Sequence, residues 1–239
     1  MRYGDSYDIC YNLIQEMKIG QFANCERLPR EIELAAQLGI SRTRLRDSLA
    51  QLEQEGVITR IHGVGTIINH HVLQVTNRMD MEFEFSDIIR QNGYEPAVTK
   101  VHLTEDKADS FLAAKLQIPL DTEIVRITRV CTADQKPAIY CEDILQKSLI
   151  KESFSQNDLE VPIFYFLKNI CGVETYMDLT RLHPATATAK IAEILEIPVG
   201  TPLLNMEETD YDIYGKILFY SRQYFVDDYF DQTVLRKKL

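Results

Sequence analysis

Three arginines, Arg42, Arg44 and Arg46, fall within five residues of the stretch GISRTRLRDSLAQLEQEG, residues 39–56. A guanidinium is a rigid fork of donors that suits phosphate oxygens and the acceptor edge of guanine. Ser41 and Thr43 add hydroxyls between them. The chain around this cluster is acidic, with 26 Lys+Arg against 36 Asp+Glu and a formal charge of −10. That balance argues against a protein that coats nucleic acid through its net charge, but it leaves room for a local basic patch. The charge is unevenly divided. Residues 1–72 hold 8 basic and 9 acidic side chains, whereas residues 73–239 hold 18 and 27.

The elements that must carry the arginines can be read from spacing. Ile9, Leu13, Ile14 and Met17 recur at helical intervals in residues 6–18. A short helix is predicted for Arg30–Leu38, starting after Pro29 and ending at Gly39. Gly39-Ile40-Ser41 makes a tight turn, with Gly39 suited to a left-handed C-cap and Ser41 to an N-cap. A third helix runs from Arg42 to about Glu55. On it Leu45, Leu49 and Leu52 form one apolar stripe with Ser48 at its edge, and the arginines lie on the other side. Two helices joined by a three-residue, glycine-containing turn describe a helix-turn-helix. The N-terminal end of its second helix is the part that enters a major groove.

Val57–Ile61 and Thr66–Asn69 then read as two strands around His62-Gly63-Val64-Gly65, a wing with a glycine tip. Taken alone, arginines at a helix N-terminus sit unfavourably with the helix dipole and usually mark a solvated face. Asp47 stands close enough to neutralise one, though surface pairs contribute little. The turn, stripe and wing in this order shift the reading to DNA binding, because each has its own geometric task.

Residues 28–68 resemble the winged helix-turn-helix of GntR-type bacterial transcription regulators. The matching signals are Leu28-Pro29, Glu33-Leu34-Ala35, Leu38-Gly39, Ser41-Arg42-Thr43, Arg46, Leu49, Leu52, Glu55-Gly56 and Gly63-x-Gly65-Thr66. The resemblance implies that Arg42 and Arg46, with Ser41, Thr43 and Arg44, meet operator DNA. The wing residues His62, Gly63, Gly65 and Thr66 would reach the adjacent minor groove. One position departs: after Leu-Pro the family has Ser-Glu-Arg-Glu, and this chain has Arg30-Glu31-Ile32-Glu33. Ile32 stands where relatives carry an arginine. Either Arg30 substitutes for that arginine from a neighbouring position, or one specificity contact is missing.

Residues 71–80 lack periodicity and read as a linker, and His70-His71 lack further ligands at metal spacing. Beyond it lies an internal repeat with a shift of 79: Leu116-x-Ile118-Pro119-x-x-Thr122 matches Leu195-x-Ile197-Pro198-x-x-Thr201. Each copy reads as a helix, an Ile-Pro break and a strand. A second strand follows each, at Ala138–Leu145 and Ile217–Val226. Helices at Pro162–Cys171 and Thr186–Leu195 and a strand at Glu174–Leu182 complete a pseudo-symmetric domain with a mainly antiparallel sheet. This order is similar to the UTRA ligand-sensing domain of the HutC-type GntR branch, whose fold is like that of chorismate lyase. The fold class expected is therefore α+β. Residues 1–70 form the winged helix-turn-helix domain, 71–80 the linker and 81–239 a UTRA effector-binding and dimerisation domain.

The resemblance implies a homodimer that binds a double-stranded DNA operator and answers to a small-molecule effector, an anionic metabolite, and it implies a repressor. The effector residues carried over are Phe85, Ser86, Arg129, Cys131, Tyr140, Phe164, Phe219 and Phe225. A hydroxyl beside a guanidinium suits phosphate or carboxylate, although Arg129 could instead pair with Glu207 or Glu142 across strands. Cys131, Cys141, Pro162, Phe219 and Phe225 replace polar residues of the phosphosugar-binding pattern, which implies a less polar effector or an altered response.

No cofactor or metal is expected. The polar, acidic N-terminus is no signal peptide, no apolar run is long enough to span a membrane, and five scattered cysteines without a CxxC fit free thiols in the cytoplasm. An enzyme is disfavoured. Only His102 and His183 occur in the C-terminal part, and no nucleophile elbow or phosphate loop is present. A winged helix that binds an acidic protein surface instead of DNA is the remaining alternative.

Overall fold

The computed structural model of the chain describes residues 4–81 and 83–238. It divides into two units, Met1–Glu82 with Gln232–Leu239, and Phe83–Asp231.

In the first unit, α1 (Gly4–Lys18) buries Leu13 and Met17 completely. α2 (Glu31–Leu38) ends on Gly39 at φ 65°, a left-handed turn that glycine adopts without a Cβ clash. The chain then enters α3 (Arg42–Gln54) through Ser41, whose hydroxyl accepts from the Arg44 backbone N–H at 3.3 Å. α3 turns Leu45, Ser48, Leu49 and Leu52 into the core, and the Cys10 thiol of α1 donates to the Ser48 carbonyl at 3.5 Å. These leucines join Leu34, Ile58 and Ile68 in one apolar cluster. Burying each such side chain contributes about 1.5–3 kcal/mol.

The wing is an antiparallel hairpin of β1 (Ile58–Ile61) and β2 (Gly65–Ile68), with Ile58 opposite Ile68 and Ile61 opposite Gly65. A third segment lies beside β2: the Leu28 N–H donates to the Thr66 carbonyl, and the Ile68 N–H to the Glu26 carbonyl, each at 2.9 Å. This pairing escapes a sequence reading because one bridge, Arg27 opposite Ile67, is too short to show alternation.

The stretch expected as a linker, 71–80, packs into this unit. α4 (His70–Leu73) buries Val72 and Leu73, and Asn77 and Arg78 are also buried. His70 Nε2 lies 2.8 Å from the Cys25 carbonyl, and no group of three possible metal ligands occurs among the described residues. Residues 232–239, expected in the second domain, also belong to the first unit. The tail pairs in parallel beside Arg78, with the Thr233 N–H donating to the Asn77 carbonyl at 3.0 Å and the Met79 N–H to the Thr233 carbonyl at 2.9 Å. Lys237 Nζ donates to the carbonyls of Glu53 and Gln54 at 2.5 and 2.7 Å, at the C-terminal end of α3 where the helix dipole favours a cation. Gly56, at φ 78°, leaves room for the tail: a Cβ there would lie 2.5 Å from Leu235 Cδ2.

The second unit is a six-stranded antiparallel sheet. Its members in chain order are β3 (Pro96–Lys107), β4 (Glu123–Ala133), β5 (Lys136–Gln146), β6 (Met177–Thr186), β7 (Pro202–Tyr211) and β8 (Ile217–Val226), and they lie side by side as β3-β4-β5-β8-β7-β6. The repeat is visible in atomic detail. α6 (Ser110–Leu116) and α8 (Ala189–Leu195) are capped by Asp109 and Thr188, and each ends on a left-handed residue, Gln117 or Glu196. The Thr122 and Thr201 hydroxyls each donate to the preceding proline carbonyl at 2.7 Å. The Ala108 and Ala187 N–H groups each donate to the carbonyl of that threonine at 2.9 Å. Both helices cover one face of the sheet, packing on Ile124, Ile144 and Tyr220 and on Val130, Tyr140 and Val226.

The opposite face carries α5 (Phe85–Gln91) at one end. At the other lies α7 (Ile163–Phe166), which continues as a π-helical turn over Leu167–Cys171. β3 was absent from the sequence reading. It is an edge strand whose side chains are mostly exposed and whose register shifts between Thr99 and His102, so no alternation marks it.

Candidate nucleic-acid interface and effector face

The N-terminal half of α3 presents Ser41, Arg42, Thr43, Arg44 and Arg46 to the exterior, between the buried positions 45, 48 and 49. Arg30 is exposed at the start of α2, and Ile32 is 63% exposed. The wing tip His62, Gly63, Val64 and Gly65 is exposed, and Thr66 is half-buried at the start of β2. A Cβ at Gly63 or Gly65 would meet nothing within 4 Å, so these glycines serve positive φ (76° and 113°) and not a packed neighbour. The predicted DNA-binding residues thus lie in one unit, and all but Arg30, which precedes α2, belong to or adjoin the two elements that a winged helix lays into adjacent grooves, α3 and the wing.

Two carboxylates organise this basic set. Glu31 Oε2 of α2 accepts from Arg46 Nε at 2.7 Å, and Asp47 is not the partner. Glu53 of α3 holds the wing: it accepts from the Arg60 backbone N–H at 2.9 Å and from Arg60 Nε at 2.7 Å. Partial burial raises the Glu53 pKa, but hydrogen bonds and charge from Arg60, helped by Lys237, outweigh it and hold the carboxyl below its ordinary value. Arg27 Nη1 donates to the Val64 carbonyl at 3.1 Å and steadies the wing tip from its other side. Sequence reasoning missed Glu31, Glu53 and Arg27, because each acts on a residue of a different element.

In the second unit, strand alternation decides which side chains can meet. Val125, Ile127, Arg129, Cys131 and Ala133 of β4 point to the α5/α7 face. Opposite and beside them, by register, stand Ile139, Cys141, Asp143 and Leu145 of β5, Phe219, Ser221, Gln223 and Phe225 of β8, and Leu204, Met206, Glu208 and Asp210 of β7. This face holds two apolar clusters. One gathers Cys131, Ile139 and Phe225 under α5, and the other gathers Ile127, Leu145 and Phe219 under α7. Between them runs a polar band: Arg129, Asp143, Ser221, Gln223 and Glu208.

The band is closely bonded. Arg129 Nη2 donates to Asp143 Oδ2, and Nη1 donates to the Val161 carbonyl at 2.7 Å. The Ser221 hydroxyl donates to Asp143 Oδ1 at 2.7 Å. Gln223 Nε2 donates to Ser221 Oγ at 2.9 Å and to Glu208 Oε2. Burial opposes the charge on Arg129, but the Asp143 carboxylate beside it raises its pKa above the ordinary arginine value. Arg129 therefore pairs with neither Glu207 nor Glu142. Arg126 takes Glu142 at 2.8 Å, and Lys115 takes Glu207 at 2.8 Å.

Of the predicted effector residues, Phe85, Arg129, Cys131, Phe164, Phe219 and Phe225 come together on the α5/α7 face, and Ser86 is the second residue of α5. Phe85 meets Phe225 edge-on with ring centroids 5.8 Å apart, and Phe164 meets Phe219 at 6.5 Å. Tyr140 does not join them. It stands opposite Val130 and Tyr224 on the α6/α8 face, stacked on Tyr224, with burial and then Glu142 pushing its pKa up to about 12. Asp143, Ser221 and Gln223 were missed, since polar residues inside strands carry no spacing signal of their own.

Comparison with known proteins agrees with both halves. Residues 8–68 match the model of the gntR family of bacterial regulatory proteins, and residues 91–231 match the UTRA domain. The chain is 26% identical to the HTH-type transcriptional repressor NagR of Bacillus subtilis, over 86% of this chain and 83% of that protein. It is 24% identical to the mannosyl-D-glycerate transport/metabolism system repressor MngR of Escherichia coli, over 94% and 92%. The crystal structure of the possible transcriptional regulator YydK from Bacillus subtilis superposes with a TM-score of 0.81 at 21% identity, covering 98% of this chain and 99% of the other.

Proposed function

This chain belongs to the GntR family and is a DNA-binding transcription regulator with a UTRA effector-binding domain, not an enzyme; on that premise we propose that it is a homodimeric, cytoplasmic repressor. Two copies would place α3 in successive major grooves of a near-palindromic operator, about 10 bp apart centre to centre. Arg42 and Arg46 contact guanine edges or phosphates, Ser41, Thr43 and Arg44 support them, and His62, Gly63, Gly65 and Thr66 lie along the neighbouring minor groove. Arg30 takes the position left open by Ile32.

The observation that carries this reading is the exposure of the arginines on the N-terminal half of α3 while every stripe leucine of that helix is buried. The repressor sense is supported by the names of NagR and MngR. The effector binds on the α5/α7 face, over the polar band and between its two aromatic clusters. It acts by favouring one of two dimer arrangements, which requires that it bind them with different affinity.

Nuclease footprinting on DNA from the region upstream of the protein's own gene tests the proposal. Two protected half-sites one helical turn apart are expected. Protection of a single, unrepeated site would overturn the dimer, and no protection in that region together with binding to unrelated DNA would overturn sequence-specific repression of its own gene.

A further inference from the structure

The polar band on the α5/α7 face is more selective about charge than its arginine suggests. Among the described residues of β4–β8, the alternation puts two cations on that face, the buried Arg129 and the exposed Lys136 at the start of β5, and five carboxylates, the exposed Glu123 at the start of β4 and Asp143, Asp178, Glu208 and Asp210. The buried cation is used internally. Arg129 is 4% exposed, its guanidinium is bonded to Asp143 and the Val161 carbonyl, and Asp143 is completed by Ser221. An incoming phosphate at Arg129 would have to displace Asp143 and would then meet that carboxylate, while the other cation of these strands on this face, Lys136, stands at the far end of β5, seven residues from Asp143.

Among the described residues, two buried atoms of the band have no hydrogen-bond partner: Arg129 Nε, a donor, and Gln223 Oε1, an acceptor. Gln223 is 2% exposed, and its carboxamide orientation is determined because its nitrogen donates to Glu208 and Ser221. Turning it over would set oxygen against the Glu208 carboxylate. By register Arg129 and Gln223 stand on either side of Cys141, and an orphan donor and an orphan acceptor on that face are groups that hydroxyls, which both give and accept, can satisfy. Towards β6 and β7 the band becomes half-buried at Met206, Glu208, Asp178 and Thr180. There the exposed chemistry is carboxylate and hydroxyl, which accept hydrogen bonds from hydroxyl or ammonium groups.

We infer that this face selects a polyhydroxylated ligand without phosphate or carboxylate, an unmodified sugar or amino sugar. The inference rests on the reading that the effector binds here. Gln223 Oε1 and Arg129 Nε take hydroxyls at the buried end, Glu208 and Thr180 accept from donors at the open end, and the Phe85–Phe225 pair borders one side of the ring. Asp143 occupies the charge that an anion would need, so anions are rejected by like-charge juxtaposition.

The test uses the full chain and matched pairs of probes: glucose, galactose, mannose and glucosamine, each against its 6-phosphate. Thermal unfolding and release from operator DNA are read for both members. The expected result is stabilisation by at least one parent sugar, with its 6-phosphate weaker by on the order of tenfold or more. In Glu208→Gln that stabilisation falls away, and in Asp143→Asn, which frees Arg129, binding of the 6-phosphate emerges. Because Asp143→Asn can fail to fold, the wild-type pairs decide the matter. Stronger stabilisation by a 6-phosphate than by its parent would overturn the inference and leave the effector face intact. No stabilisation by either member of any pair would overturn both.

Discussion

Each unit of this regulator contains an arginine held by a carboxylate, and the two pairs are opposites. Arg46–Glu31 spans 2.7 Å with its side chains 59% and 28% exposed. Arg129–Asp143 has side chains 5% and 3% exposed. In water the first pair contributes little and exchanges readily, so Glu31 parks Arg46 without committing it. On the proposed reading a phosphate or a guanine takes its place at small cost. The second pair sits where neither charge can be hydrated, so each partner is indispensable to the other. One arrangement leaves its charge within reach of solvent and the other seals it away.

The contrast can be broken most severely at Asp143. Asp143→Ala leaves Arg129 buried and unpaired, and we expect destabilisation of about 3–5 kcal/mol, measured by urea unfolding of the full chain. A loss below ~1 kcal/mol would mean that the guanidinium finds water, and that the band is wetter than its burial implies.

Next in size is the C-terminal tail. Ending the chain after Asp231 removes the Thr233 backbone pairing, the Leu235 packing at Gly56 and the Lys237 bonds to the last carbonyls of α3. We expect a loss of about 2 kcal/mol in the first unit, read as faster amide exchange in the last turn of α3 and in Asn77–Met79. Unchanged exchange there would show that the tail adds nothing to the head.

The smallest effect on stability belongs to Glu31→Gln, below ~1 kcal/mol as for other exposed pairs. Its effect on DNA goes the other way: operator affinity rises about threefold to tenfold, because a carboxylate beside the backbone phosphates is removed and Arg46 is released. Gel-shift titration checks this. A weaker complex would mean that Glu31 orients Arg46 towards DNA instead of parking it.

The two units also differ in how much of them a sequence discloses. The head is built from local signals. The Gly39-Ile40-Ser41 turn, the Leu45/Leu49/Leu52 stripe and the glycine tip of the wing each lie within a few residues, and the structure has them at those places. What was hidden there crosses between elements: Glu31 reaching Arg46, Glu53 reaching Arg60, and the C-terminal tail, far along the chain, whose bonds to the head are mostly to backbone.

In the sensor sheet the repeat was legible because its Ile-Pro turns are local. The site was only half legible. The parity of Arg129 and Cys131, or of Phe219 and Phe225, gives sides within one strand. Which side of β5 faces Arg129 depends on register, and no spacing in the sequence sets that. Asp143 therefore went unseen, and Tyr140, three residues before it, lies on the other face.

The central claim is that α3 reads DNA through its exposed arginines, and the salt dependence of operator binding tests it most directly. Titrations from about 50 to 200 mM salt compare the wild type with Arg42→Ala/Arg46→Ala, with circular dichroism confirming that both are folded. The account predicts a loss of about 2–6 kcal/mol in operator binding if both side chains read base edges. If either arginine instead neutralises a phosphate, the slope of log affinity against log salt becomes shallower by about one unit for each such arginine removed. Affinity and slope both unchanged in the folded double variant would contradict it.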